Sequence, residues 1–150
     1  MALSSNRSSR EFDKFVADGS GNTSLRVTST TSETTSASST SQLVEDTTAS
    51  ASVVLTATDV EGKSRIGIQI FNTGSGSTRN STFKVFGTLK TSPGTVGGSN
   101  WTQIGDDISV DASSNAYKAI STTPIKSIGI TGQTVHASDT STCDVFIMAD

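Results

Sequence analysis

His136 and Cys143 are the only imidazole and thiol in this sequence. A catalytic thiolate needs that imidazole within hydrogen-bond reach and a third group to orient it. Cys143 alternates with Val145 and Ile147, which places it on the core side of a strand as a small hydrophobe. His136 stands in a polar stretch before Ala137-Ser138-Asp139. The spacing predicts an inert thiol and a solvated imidazole. One histidine and one cysteine are also too few ligands for a structural zinc site. Asp106, Asp107 and Asp111 form one acidic group and Asp59 with Glu61 a second. Calcium wants about six to eight oxygens at defined spacing, and neither group matches a loop motif. Aspartate is also a common turn residue, so both groups read as solvated turns. Nothing sets two carboxylates across a cleft for glycoside hydrolysis. Gly94–Gly98 leads into Ser99-Asn100-Trp101 without the lysine of a phosphate loop. Trp101 with Tyr117 could stack on a sugar ring, but the chain has only eight aromatics, six of them Phe, so Trp101 reads first as a core or interface anchor. No catalytic, metal or cofactor residue is expected, and the chain reads as a binding protein rather than an enzyme.

The elements that carry these residues divide into three zones. Ser and Thr number 27 and 24 of 150 residues, while Leu, Ile, Val and Phe together number 32. Only 8 of those 32 fall in residues 1–50, and all ten isoleucines lie beyond. A folded domain of about a hundred residues behind a poorly cored front is the expectation. In residues 1–27, Ser8 and Glu11 have the form of a capping box. Phe12, Phe15 and Val16 then fall at i, i+3 and i+4, one apolar stripe on a short helix; an extended reading also survives, because the segment is too short to settle its own conformation. Gly19-Ser20-Gly21-Asn22 is a turn signal, and Leu25 and Val27 flank Arg26 as on a strand. This zone has no partner layer of its own, so Phe12, Phe15, Val16, Leu25 and Val27 must find a surface elsewhere.

Residues 28–50 read as a linker. Twelve of the fifteen residues from Thr28 to Gln42 are Ser or Thr, and no apolar periodicity offsets the ordering cost of about 1–2 kcal/mol per residue. Thr-rich backbone of this kind also adds readily to a free sheet edge. Residues 51–150 read as seven or eight short strands, with Ile66, Ile68 and Ile70 on one face of the clearest. The set indicates an all-β fold, an antiparallel β-sandwich or jelly roll preceded by an extended N-terminal arm. Gly105-Asp106-Asp107 suggests a hairpin between Trp101–Ile104 and Ile108–Val110. With a net charge of −3 and scattered Lys and Arg, no basic footprint for nucleic acid exists. No apolar run reaches the roughly 18–20 residues of a membrane helix, Met1–Arg10 lacks the apolar stretch of a signal peptide, and a lone cysteine fits a reducing cytoplasm.

The run Arg10-Glu11-Phe12-Asp13-Lys14-Phe15, followed by Asp18-Gly19-Ser20-Gly21-Asn22-Thr23-Ser24-Leu25-Arg26-Val27, resembles the opening of small virion proteins of tailed bacteriophages. The likeness covers about eighteen residues. It implies a capsid cement (decoration) protein, or a neck or tail fitting, made in the host cytoplasm and located in the virion. Its implied partners are the major capsid protein or other virion proteins, and it implies a homo-oligomer, a trimer at a symmetry axis of the shell. Phe12, Phe15, Val16, Leu25, Val27 and Trp101 would be the partner-binding residues. The alternative is a fibre or adhesin module that binds host glycan through Trp101 and loops 72–81 and 91–100.

Overall fold

The computed structural model describes residues 14–17, 23–26, 34–121 and 124–150 and divides the chain into two units, Met1–Glu33 and Thr34–Asp150. In the first unit, β1 (Lys14–Ala17) pairs antiparallel with β2 (Thr23–Arg26), setting Phe15 opposite Leu25 and Val16 opposite Ser24. Of the two conformations open to this zone, residues 14–17 take the extended one. The Ser8/Glu11 capping box, Phe12, the Gly19–Asn22 turn signal and Val27 lie outside the described residues.

The second unit is all β. It holds β3 (Thr35–Val44), β4 (Ser52–Asp59), β5 (Arg65–Asn72), β6 (Ser81–Thr88), β7 (Thr102–Gln103), β8 (Ile108–Val110), β9 (Ser114–Ser121), β10 (Ser127–Thr134) and β11 (Ser141–Ala149). Two antiparallel sheets face each other. The first has the order β3-β11-β5-β9; the second has β4-β10-β6, with β7 and β8 both on the far side of β6. Apart from the β6–β7–β8 run, successive strands alternate between the sheets. If β7 and β8 count as one edge, this is the eight-strand jelly-roll order. Between the sheets lie Ile66, Ile68 and Ile70 of β5, Phe83 and Val85 of β6, Ile128 and Ile130 of β10, and Val145 and Ile147 of β11, each at most 3 % exposed. The strict alternation along β5 is why one face of that strand fills the core.

Two features correct the sequence reading. The sandwich begins at Thr34, not Ala51. Of the residues 28–50 read as a linker, Thr35–Val44 form a ten-residue edge strand, paired with β11 from Thr35↔Ala149 to Val44↔Ser141, while 28–33 lie outside the described residues. Its inward positions Thr35, Ala37, Ser39 and Gln42 are only half-buried, so small hydroxylated residues suffice there, and β11 supplies the hydrogen-bond ladder. The sheet edge that such backbone was expected to seek belongs to its own chain. The ladder shifts register once between Cys143 and Val145, near Ser41, which takes φ 52 and donates its amide to Asp144 Oδ1 at 2.7 Å.

The second correction concerns Gly105-Asp106-Asp107. The flanking segments do not pair with each other as a hairpin. Gln103 lies opposite Phe86 and Ile108 opposite Phe83, so five steps on the edge span three on β6. The glycine, at φ 69, allows the extra residues to loop out of a single broken edge strand.

At one end of the sandwich Asn72 of β5, 2 % exposed, ties β8 and β11 to the loop that follows its own strand. Its Nδ2 donates to the carbonyls of Arg79 (2.7 Å) and Val110 (3.2 Å), and its Oδ1 accepts from Ser141 Oγ (2.7 Å) and the Gly74 amide (3.1 Å). Asn72 and Ser81, read as ends of a loop, are strand ends.

Candidate functional site

The residues singled out for chemistry do not converge. Cys143 is fully buried, and burial, reinforced by the Asp144 charge, pushes its thiol up to about 12. His136 is exposed, with its carbonyl accepting the Thr134 hydroxyl at 3.0 Å. Asp59 and Glu61 are occupied by Lys126, whose ammonium lies 3.8 Å from Asp59 and hydrogen-bonds Glu61; the Glu61 bond is the first cause holding the lysine's pKa above its ordinary value. Asp107 accepts from Gln103 at 2.8 Å, and the Asp106 carbonyl accepts from Lys118 at 2.6 Å. Among the described residues no group of His, Cys, Asp and Glu is arranged to hold a metal ion. Among the same residues no helix is long and apolar enough to cross a membrane.

Trp101 is internal, at 7 % exposure. Its indole N–H reaches the Gly94 carbonyl at 3.4 Å, and its amide donates to Gly98 at 3.0 Å. The loop of residues 89–101 folds over the outward side of the second sheet, where Val96 packs directly above Gly129. Trp101 and Tyr117 therefore make no joint platform: one is buried in this loop, and the other lies on the first sheet at 69 % exposure.

The feature the sequence reading missed is the outward side of the first sheet. Register places its side chains in rows. Ser36, Met148, Gly67 and Ala119 form one row; Ser38, Phe146, Gln69 and Tyr117 form the next; Asp144, Phe71 and Asn115 continue it. Met148 is 62 % exposed and Phe146 41 %, and Phe146 meets Phe71 edge to face at 5.9 Å. Tyr117 lies across β5: a Cβ on Gly67 would stand 3.0 Å from its hydroxyl, so only glycine leaves the ring this floor. Because β3 contributes only Ser36 and Ser38 here, an open hollow of about 880 Å³ remains among Met148, Phe146, Gly67 and Tyr117. Charge is confined to its ends. Arg65 grips Asp150 with two bonds, Nη2 to Oδ2 at 2.6 Å and Nε to Oδ1 at 3.1 Å, and Asp144 caps Ser41 at the other end. Between them the face is apolar and hydroxylated, suited to burying another apolar surface. The signal in the sequence was Val145-Phe146-Ile147-Met148, four apolar residues where a strand with one wet face would alternate.

Neither a protein-family model nor a curated protein matches this chain.

Proposed function

We propose that this protein is a non-enzymatic structural component of a tailed-bacteriophage virion that binds and stabilises the capsid shell as a cement protein. The observation that carries the reading is the uncovered face of Tyr117, Phe146 and Met148, where three of the domain's exposed large apolar side chains lie on one side of one sheet. Jelly rolls serve in coats and in sugar-binding domains alike, so the fold alone does not choose between them. A large uncharged face favours protein surface as the ligand. The arm adds Phe15 and Leu25 as a cross-strand pair, and the likeness of residues 10–27 to phage virion proteins supplies the assembly. An arm and a face engaging separate sites of one shell would strengthen each other through effective concentration. The glycan alternative loses its main element, because the Trp101 indole is enclosed by its own loop.

The test is co-sedimentation of the purified chain with assembled tailed-phage capsid particles. Deleting residues 1–27, or replacing Phe146 and Met148 with Thr, is expected to leave a folded sandwich that no longer co-sediments with particles. Unchanged incorporation of both variants would refute the reading.

A further inference from the structure

The sandwich has four edges, formed by β3, β9, β4 and the β7–β8 pair, and three of them are irregular. β3 carries the shift at Cys143/Val145, β4 pairs with β10 through two shifts, and the β7–β8 edge is broken at residues 104–107. β9 differs: all eight of its residues, Ser114–Ser121, pair with β5 without a shift. It has no proline, and its only charge, Lys118, sits at a half-buried inward position with its ammonium on the Asp106 carbonyl. Tyr117 leans over Gly67, away from the free side. Bulges, breaks and projecting charges are how folded proteins keep edges from pairing, and β9 has none that project.

We propose that β9 pairs antiparallel with β9 of a second copy of this chain about a two-fold axis, merging two four-stranded sheets into one of eight strands. Identical antiparallel edges are self-complementary, so such a pair needs no other partner. The pleat limits the register: residues directly opposite must share a face, so the axis passes through a residue rather than between two. Axes at Tyr117 and Lys118 give the longest overlap, seven residues each, spanning Ser114–Ile120 and Asn115–Ser121 respectively. The Lys118 axis would set like charges opposite each other. The Tyr117 axis sets Lys118 against Ala116 and Asn115 against Ala119, with no charge facing another. It also brings two copies of the uncovered face side by side on one sheet. This pairing does not depend on a virion role, and its two-fold stands in place of the trimer implied by the phage likeness.

The experiment is light scattering and sedimentation of the full chain across a concentration series. The wild type should be a dimer. Tyr117→Lys and Tyr117→Glu should each be monomeric with unchanged circular dichroism, and an equal mixture of the two should recover the dimer. Tyr117→Cys faces itself across the axis, within the Cα spacing a disulfide accepts, and should cross-link on mild oxidation. Ala119→Cys faces Asn115 and should not. A monomeric or trimeric wild type, charge variants that remain dimeric, or equal cross-linking at 117 and 119 would each overturn the proposal.

Discussion

On the second sheet, Gly129 and Thr131 are outward positions of β10 that the domain covers itself: Val96 sits above Gly129, and Gly97 lies over Thr131 and Phe86. That loop is sewn by its own bonds, Thr88 Oγ1 to the Asn100 carbonyl at 2.8 Å and Asn100 Nδ2 to the Pro93 carbonyl at 3.1 Å. On the first sheet the equivalent positions of β11 are Phe146 and Met148, with larger side chains, yet both remain exposed. Within Thr34–Asp150, one apolar face is finished by a loop of that unit and the other is left open by it. A domain able to devote a thirteen-residue loop to the smaller patch does not leave the larger one bare for want of chain. The open face is the one to connect with function.

The largest expected effect separates the two faces by stability. Trp101→Ala should cost about 3–5 kcal/mol in urea unfolding, because it empties the centre of the covering loop. Tyr117→Ala, compared with the wild type at concentrations low enough for both to be monomeric, should change stability by no more than about 0.5 kcal/mol, as surface substitutions do. Equal costs would mean that the two faces do not differ in the way described. A single methyl tests the same contrast more finely. On Gly129 it would lie 2.5 Å and 2.8 Å from the two methyls of Val96, which the loop holds in place. On Gly67 it meets only the tip of Tyr117, which can swing away into solvent. Gly129→Ala should cost about 1–3 kcal/mol as an overpacked site, with Trp101 fluorescence shifting to the red. Gly67→Ala should be nearly neutral and should reduce the hollow.

Much of the sandwich is legible in the sequence because period-two alternation survives wherever one strand face is wet. The strand marked by Ile66, Ile68 and Ile70 is β5 for that reason. The first edge strand escapes such reading because its inward positions Thr35, Ala37, Ser39 and Gln42 are only half-buried and need no large apolar side chain, so its strand character comes from β11 across the ladder. The break between β7 and β8 resembles a hairpin because Gly105-Asp106-Asp107 serves a bulge as well as a turn. Trp101 is legible as an anchor, but which surface it anchors depends on the path of the loop. The open face is hidden by its own composition: serines on β3 and a glycine on β5 create the hollow, and only Phe146 and Met148 mark it in the sequence.

Of smaller expected effect is the replacement of Phe146 and Met148 by Thr, which keeps strand propensity while removing apolar area. Stability should change by less than about 1 kcal/mol, while binding of a hydrophobic dye to the native protein should fall sharply. Retained dye binding would place the accessible apolar surface elsewhere, for instance at Leu89, which is 70 % exposed.

The smallest effect contrasts the two sides of β11 itself. Cys143 and Met148 are five residues apart on one strand, one fully buried and the other 62 % exposed. A thiol at 148 in Met148→Cys should react with an aromatic disulfide reagent at once, and Cys143 only as fast as the domain opens. Burial raises the folded Cys143 thiol from 9.0 to about 12 while the unfolded thiol stays near its ordinary value, so the native state holds its proton over a range in which the unfolded state has lost it. The sign follows: this contribution to stability is complete below about pH 9 and falls as pH rises toward the folded value. Cys143→Ala should therefore show a flatter loss of stability than the wild type between about pH 9 and 11, measured by urea unfolding at each pH. A wild-type alkaline limb with the same slope as that of Cys143→Ala would mean that the thiol reaches water on this side of the strand too.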